Sequence, residues 1–228
     1  MGIDKEESLP PGEAIADFMQ RNRKSLLALI VILAGGIIGL VAFFAVRSGL
    51  QKDAIITLEE IEERLTLLGD LSENAKSAEV EALLQELTEF ASGTFGYAAA
   101  RSYSLAAAVY MERNEWEKAE QAYLDSARKA GKTYLAPLAL YNAAAAAEEQ
   151  GNLETALEYY TQSLDFSGNF PGASRARFNI GRIYEAQKDT EAASDAYRTL
   201  IENSSPDSNW AKLAQSRIIF LEISEQER

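Results

Sequence analysis

From Ser25 to Val46 the chain reads SLLALIVILAGGIIGLVAFFAV, an apolar run of 22 residues without a charge, bounded by Lys24 and Arg47. At about 1.5 Å of rise per residue the run is roughly 33 Å long, which matches the hydrocarbon core of a bilayer. Its apolarity runs all the way round, without the stripe that a helix half-buried in a soluble core would show, so it predicts a transmembrane helix over 25–46. A cleaved signal peptide fits less well. The run is too long, 24 residues precede it, and AFFAVRSG has no small-x-small cleavage site. Within the N-terminal stretch 1–24, Ile15, Phe18 and Met19 follow Pro10 and Pro11 at helical spacing. They predict a short amphipathic segment suited to a leaflet surface, although disorder there fits equally. Gly35 and Gly39 form a G-x-x-x-G pair that lets two membrane helices approach closely; packing without dimerisation accounts for it equally well.

Beyond the span the polar and apolar letters return at a constant offset of 37. Ala119, Ala156 and Ala193 stand 37 apart, as do Tyr123, Tyr160 and Tyr197, and each Ala precedes its Tyr by four, on one helix face. Earlier in each unit a second set recurs: Leu105, Ala106 and Tyr110, then Ala143, Ala144 and Ala147, then Ile180, Gly181 and Tyr184. Between the two sets lie RNEWEKA, QGNLETA and QKDTEAA, polar breaks with Asn, Gly or Asp before a run of helix formers. Each unit therefore reads as a helical hairpin, with small residues where helices cross, and three such units fill 97–205.

The array extends at both ends. Shifting back by 37 sets Ala82 in register with Ala119, and EVEALLQELTEFA carries Val80, Leu83, Leu84, Leu87 and Phe90. Upstream, DAIITLEEIEERLTLLG has Ala54, Leu58, Ile61, Leu65 and Leu68 at alternating spacings of four and three, ending at Gly69. Residues 49–91 thus predict a helix pair forming a degenerate first repeat. The same stripe fits a coiled-coil dimer, but about two heptads fall short of the sustained pattern that requires. At the other end Trp210, Leu213, Ala214, Ile218 and Leu221, with charges opposite, predict a capping helix over 208–225 of the kind a solenoid needs for solubility. The fold class is all-α: a single N-terminal transmembrane helix, then an α-solenoid with a C-terminal cap.

Composition narrows the chemistry. The chain of 228 residues carries 22 basic and 35 acidic side chains, a net charge of −13. Through Arg47 the counts are five and five, so the whole excess lies beyond the span. Such a field repels a polyanion, which excludes nucleic acid as a partner. With no Cys and no His, thiol nucleophiles, imidazole bases and Cys/His metal sites are absent from the chemistry available. No nucleophile with a base, and no metal-ligand cluster, can be assembled from the motifs, so the reading is non-enzymatic, with no cofactor and no small-molecule substrate. Glu148 and Glu149 are adjacent carboxylates, but neighbours on a helix diverge by about 100° and cannot share a substrate. Before the span lie Lys5, Arg21, Arg23 and Lys24; after it come Arg47, Lys52 and Arg64. That bias points to a cytoplasmic N-terminus and, in a bacterial inner membrane, periplasmic repeats.

NAAAAAEEQGNLETALEYY and FNIGRIYEAQKDTEAASDAY resemble tetratricopeptide repeats, in which small residues pack helix on helix and an aromatic closes the second helix. The usual period of that family is exceeded by three residues, which are placed in inter-repeat loops around AGKTY and SGNFPG. The resemblance implies a solenoid that buries its core between neighbours and presents a groove lined by first helices. Carried over by matching motif, the lining is Arg101, Ser104, Ala108 and Met111; Leu138, Tyr141, Ala145 and Glu148; and Arg175, Phe178, Arg182 and Glu185. Tyr141 and Phe178 would then offer apolar contact, and Arg175 and Arg182 a grip on a carboxylate. A solvated helix surface is the plain alternative. Tyr110, Ala119, Tyr123, Ala147, Ala156, Tyr160, Gly181, Tyr184, Ala193 and Tyr197, with Ala82 in the first unit, would pack the repeats. Asn142 and Arg175 stand where some family members clamp a C-terminal carboxylate, but Ser104, Ala108 and Asn179 occupy the clamp's other positions.

Together, AIADFMQRNRKSLLALIVILAGG and LTEFASGTFGYAAARSYSLAAAVYMERNEWEKA look like the membrane-anchored ancillary subunit of the bacterial SecYEG translocon, the YfgM type. That resemblance implies a periplasmic scaffold or chaperone-like adaptor meeting the translocon, translocated chains or periplasmic chaperones. A structural subunit of an outer-membrane assembly or flagellar-motor complex is the second reading. A receptor with cytosol-facing repeats is the third. Homo-oligomers are compatible with each.

Overall fold

In the computed structural model the described residues are 11–67, 73–166, 170–205 and 207–226, and among them every regular element is a helix. The chain divides into two compact units, Met1–Lys52 and Asp53–Arg228.

The first unit holds α1 (Pro11–Arg21) and the leading part of α2 (Arg23–Leu67). Ile15, Phe18 and Met19 on α1 are exposed, and so is every residue of α2 from Leu27 to Leu50. This is the one helix among the described residues long and apolar enough to cross a membrane. A side chain added at Gly35 or Gly39 would meet nothing within 4 Å among the described residues, so none of these packs on the G-x-x-x-G pair. The sequence suggested that the apolar run ends near Val46 and that a separate helix begins near residue 53. Instead α2 continues without a break to Leu67. Between the two patterns stand only helix-tolerant residues and Gly49, and one glycine costs a helix interior about 1 kcal/mol.

The second unit stacks its helices in chain order. The distal part of α2 pairs with α3 (Glu73–Gly93), α4 (Gly96–Glu112) with α5 (Trp116–Ala130), α6 (Leu135–Glu149) with α7 (Leu153–Leu164), and α8 (Ala173–Ala186) with α9 (Thr190–Glu202). Finally α10 (Asn209–Gln226) lies on α9 and α8. Close stacking is set by alanine: Ala99, Ala100, Ala106, Ala107, Ala143, Ala144, Ala146, Ala147 and Ala176 are all fully buried. Ala119, Ala156 and Ala193 are fully buried too, with Tyr123, Tyr160 and Tyr197 beneath the next helix; Tyr110 and Tyr184 are half-buried.

Each of the three later hairpins turns on the same device. Asn114, Gly151 and Lys188, again 37 apart, have φ of 57°, 79° and 64°. The following amide reaches back over the turn, Glu115 N to Tyr110 O at 2.9 Å, Asn152 N to Ala147 O at 2.9 Å and Asp189 N to Tyr184 O at 3.0 Å. This 6→1 bond around a left-handed residue closes a helix end and aims the chain straight into the second helix. Gly151→Ala is therefore expected to lower stability by about 1 kcal/mol, because a Cβ strains the left-handed conformation, although open space surrounds it. Urea unfolding followed by circular dichroism at 222 nm checks this.

The connections 131–134 between α5 and α6 and 165–172 between α7 and α8 are longer than the hairpin turns, whereas 94–95 between α3 and α4 is short. Part of SGNFPG lies outside the described residues, as do Leu68 and Gly69.

Two expectations are corrected. Ala82 is exposed, while Leu83, Leu84, Leu87 and Ala91 are buried against Leu58, Ile61, Ala98 and Ala106. The large side chains decide the face of α3, and the 37-residue register reaching back from Ala119 misses it by one position, about 100° of helix rotation. On α10, the outer face expected to be charged carries apolar residues beside the exposed Lys212 and Glu222. Leu213, Ile219, Phe220 and Ile223 are exposed, while Ala211, Ala214 and Leu221 are buried.

Candidate partner-binding face

Helices α4, α6 and α8 present equivalent positions 37 residues apart, and the first position of the lining is Arg101, Leu138 and Arg175. Leu138 is 41% exposed, and Arg175 is exposed with its guanidinium 5.6 Å from the centre of the Tyr141 ring. Among the described residues Arg175 makes no ion pair, so it remains a cation held by an aromatic face and open to a carboxylate. Ala108 is exposed as well, and Met111 and Ala145 are half-buried.

The other charges of the lining are spent between helices. Arg101 Nε bonds Glu62 Oε1 at 2.8 Å, Arg182 pairs with Glu148, and Arg217 on α10 pairs with Glu185, its Nε lying 2.9 Å from Oε1. Each pair ties a first helix to the preceding first helix. Glu185 also accepts from the Tyr197 hydroxyl at 2.6 Å. Burial pushes the Glu185 carboxyl up, but the bonds from Arg217 and Tyr197 outweigh it and hold the pKa below the ordinary carboxylate value. These contacts fix the spacing of the face.

Three lining positions face inward. Tyr141 is only 8% exposed; its ring packs 5.3 Å from Tyr160 and 6.3 Å from Phe170. Phe178 lies between Tyr197 and Trp210, with ring centres at 5.3 and 5.4 Å. Ser104 shares a 2.7 Å hydroxyl bond with Ser126, which itself donates to the Ala100 carbonyl. Asn179, at a clamp position, donates to the hydroxyls of Tyr141 and Tyr160 at 3.2 and 2.9 Å. An aromatic in the groove pattern thus serves the joint between hairpins here, and Tyr141→Ala or Phe178→Ala would open a cavity rather than report on a partner.

Sequence reasoning missed Tyr97 and Tyr134, exposed one turn before Arg101 and Leu138. The same offset of 37 relates them and was the signal that could have found them. With Leu138, they add exposed apolar surface to a face that also carries Arg175.

The buried phenols predict alkaline sensitivity. Burial raises Tyr123 to about 12, aided by Glu112, and pushes Tyr160 and Tyr197 well above the ordinary value. A folded pKa above the unfolded value of about 10 means that this stabilisation is intact below pH about 10 and is lost as pH rises through the folded values. Loss of ellipticity at 222 nm should coincide with ionisation of these three buried phenols, the part of the absorbance rise at 295 nm that comes above pH about 12.

Comparison with known proteins agrees with this construction. A tetratricopeptide-repeat family profile matches residues 135–204. A TPR repeat-containing protein of Treponema pallidum (strain Nichols) is 33% identical over 222 residues, 90% of this chain and 92% of that protein. The chain belongs to the tetratricopeptide-repeat family. The solenoid is also seen in the nearly identical TPR-like repeats of a Podosopora anserina putative kinesin light chain. That structure has a TM-score of 0.54 at 12% identity, covering 75% of this chain and 89% of that one. A variant of the same fungal protein scores 0.55 with equal coverage. These likenesses show the fold. Tetratricopeptide repeats form a protein-interaction scaffold, a non-catalytic role that suits a face built of helix surfaces and ion pairs.

Proposed function

We propose that the chain is a membrane-anchored scaffold or chaperone-like adaptor, held in a bacterial inner membrane by the apolar part of α2, whose tetratricopeptide face binds polypeptides on the periplasmic side, at or near the Sec translocon. The observation that carries the anchor is the uncharged run from Ser25 to Val46, exposed from Leu27 onward. A bare apolar surface of that size is untenable in water and is the ordinary state of a helix among lipid tails. Basic residues before the run support a cytoplasmic N-terminus, the bacterial relative supports the setting, and the resemblance to the translocon's ancillary subunit supports the partner. On the repeat side, Tyr97, Tyr134, Leu138 and Arg175 suit an extended segment bearing apolar side chains and a carboxylate.

Anchoring raises the local concentration of the face for chains emerging beside it, so affinity for each client can be low. The test is threefold on native membranes. The protein should resist carbonate extraction, its repeats should be cleaved by protease only after the periplasmic side is opened, and SecYEG should co-purify after crosslinking. Release by carbonate would remove the anchor; cleavage from the cytoplasmic side would reverse the topology. Stoichiometric co-purification with another envelope assembly, without SecYEG, would replace the translocon.

A further inference from the structure

Helix α10 takes the place of a first helix in the array, and no second helix pairs with it among the described residues. Arg217 grips Glu185 of α8 just as Arg182 grips Glu148 of α6. Aligning the two arginines sets Leu213, Ser216 and Ile219 against Phe178, Gly181 and Tyr184. On α8 those residues are covered by α9: the Tyr197 ring lies over Gly181 and beside Phe178, and Tyr184 packs into the same cluster. On α10 no second helix among the described residues covers the equivalents; Leu213, Ile219, Phe220 and Ile223 are between 43% and 56% exposed, with the Arg217 guanidinium 4.8 Å from the centre of the Phe220 ring.

The uncovered face has the pattern of a helix seam. Leu213, Ser216, Phe220 and Ile223 follow one another at spacings of three, four and three, as do the inner positions of a two-helix coiled coil. Laid antiparallel against a copy of itself about Ile218, the seam sets Leu213 opposite the partner's Ile223 and Ser216 opposite the partner's Phe220. The second match, an aromatic ring over a small residue, is the one Tyr197 makes with Gly181. Charge favours the same occupant. From Asn209 to Ser224 the helix carries Lys212 and Arg217 against Glu222, a near-neutral surface on a chain of −13, so two copies can meet here without apposing acidic faces.

We propose that α10 is the contact through which two copies of this chain pair, antiparallel and two-fold symmetric. Three turns of helix bury less than the about 800 Å² per partner of a standard interface, so the pairing is weak and concentration-dependent.

The test uses the full chain, which has no cysteine. In membrane vesicles, Ser216→Cys is expected to give a covalent dimer with a short bis-maleimide, whereas Glu191→Cys on the exposed side of α9 is not. In detergent, sedimentation equilibrium should show a monomer–dimer equilibrium for the parent chain, and Phe220→Asp should shift it to monomer with helical content unchanged. A parent chain that stays monomeric overturns the proposal. So does a dimer that survives Phe220→Asp and falls apart with Gly39→Leu, which would assign pairing to the membrane helix. A Ser216→Cys thiol that reacts only with lipid-soluble maleimide would place the face on the bilayer and overturn it equally.

Discussion

Gly181→Ala is expected to lower the stability of the repeat array by about 2–3 kcal/mol, the upper range for overpacking a filled core. A Cβ at this position would lie 2.5, 2.7 and 2.8 Å from Cε1, Cζ and Cδ1 of Tyr197. The ring has nowhere to go: Tyr197 is fully buried, and its hydroxyl is bonded to Glu185, one turn along the same helix as Gly181. The sign should reverse when the ring is removed. Tyr197→Ala alone costs about 3–5 kcal/mol, but in that background Gly181→Ala is expected to stabilise by about 1 kcal/mol, the ordinary preference of a helix for alanine over glycine. A double-mutant cycle by urea unfolding measures both. Gly181→Ala destabilising equally in both backgrounds would show that the ring does not set the glycine.

Leu87→Ala is expected to cost about 2–5 kcal/mol, since a fully buried leucine leaves both its transfer energy and a cavity. The loss should appear as earlier unfolding of the first hairpin, where Leu87 meets Leu58, Ile61 and Leu83. Ala82→Ser, on the exposed side of the same helix, should stay within about 0.5 kcal/mol. The contrast distinguishes the observed face of α3 from the one obtained by extending the 37-residue register.

The hairpins were legible because the repeat writes the same constraint three times. Where Ala119, Ala156 and Ala193 recur four residues before a tyrosine, only a helix face explains the pairing, and all three alanines are fully buried. The first unit was harder: with Glu86 in place of a tyrosine, one register letter, Ala82, had little to weigh against the larger Leu83 and Leu87. The length of α2 was hidden by a change of solvent preference along one unbroken backbone, which hydropathy reads as a boundary. The lining of the face was legible by position but not by direction. Tyr141 and Phe178 hold groove positions in the motif, yet their rings turn into the joints with α7 and α10, because aromatic neighbours there offer more burial than the surface does. Arg101, Arg182 and Arg217 likewise find partners on the preceding first helix, which no local spacing reveals. Leu138 and Arg175 are left to face outward.

The proposed partner face belongs to these first helices, and not to the second helices behind them. A photoreactive amino acid at Leu138 on α6, compared with the same probe at the exposed Glu158 on α7, tests it in living cells. Discrete polypeptide adducts are expected from position 138 and none from 158. Equal labelling at both positions, or adducts from 158 alone, would contradict it.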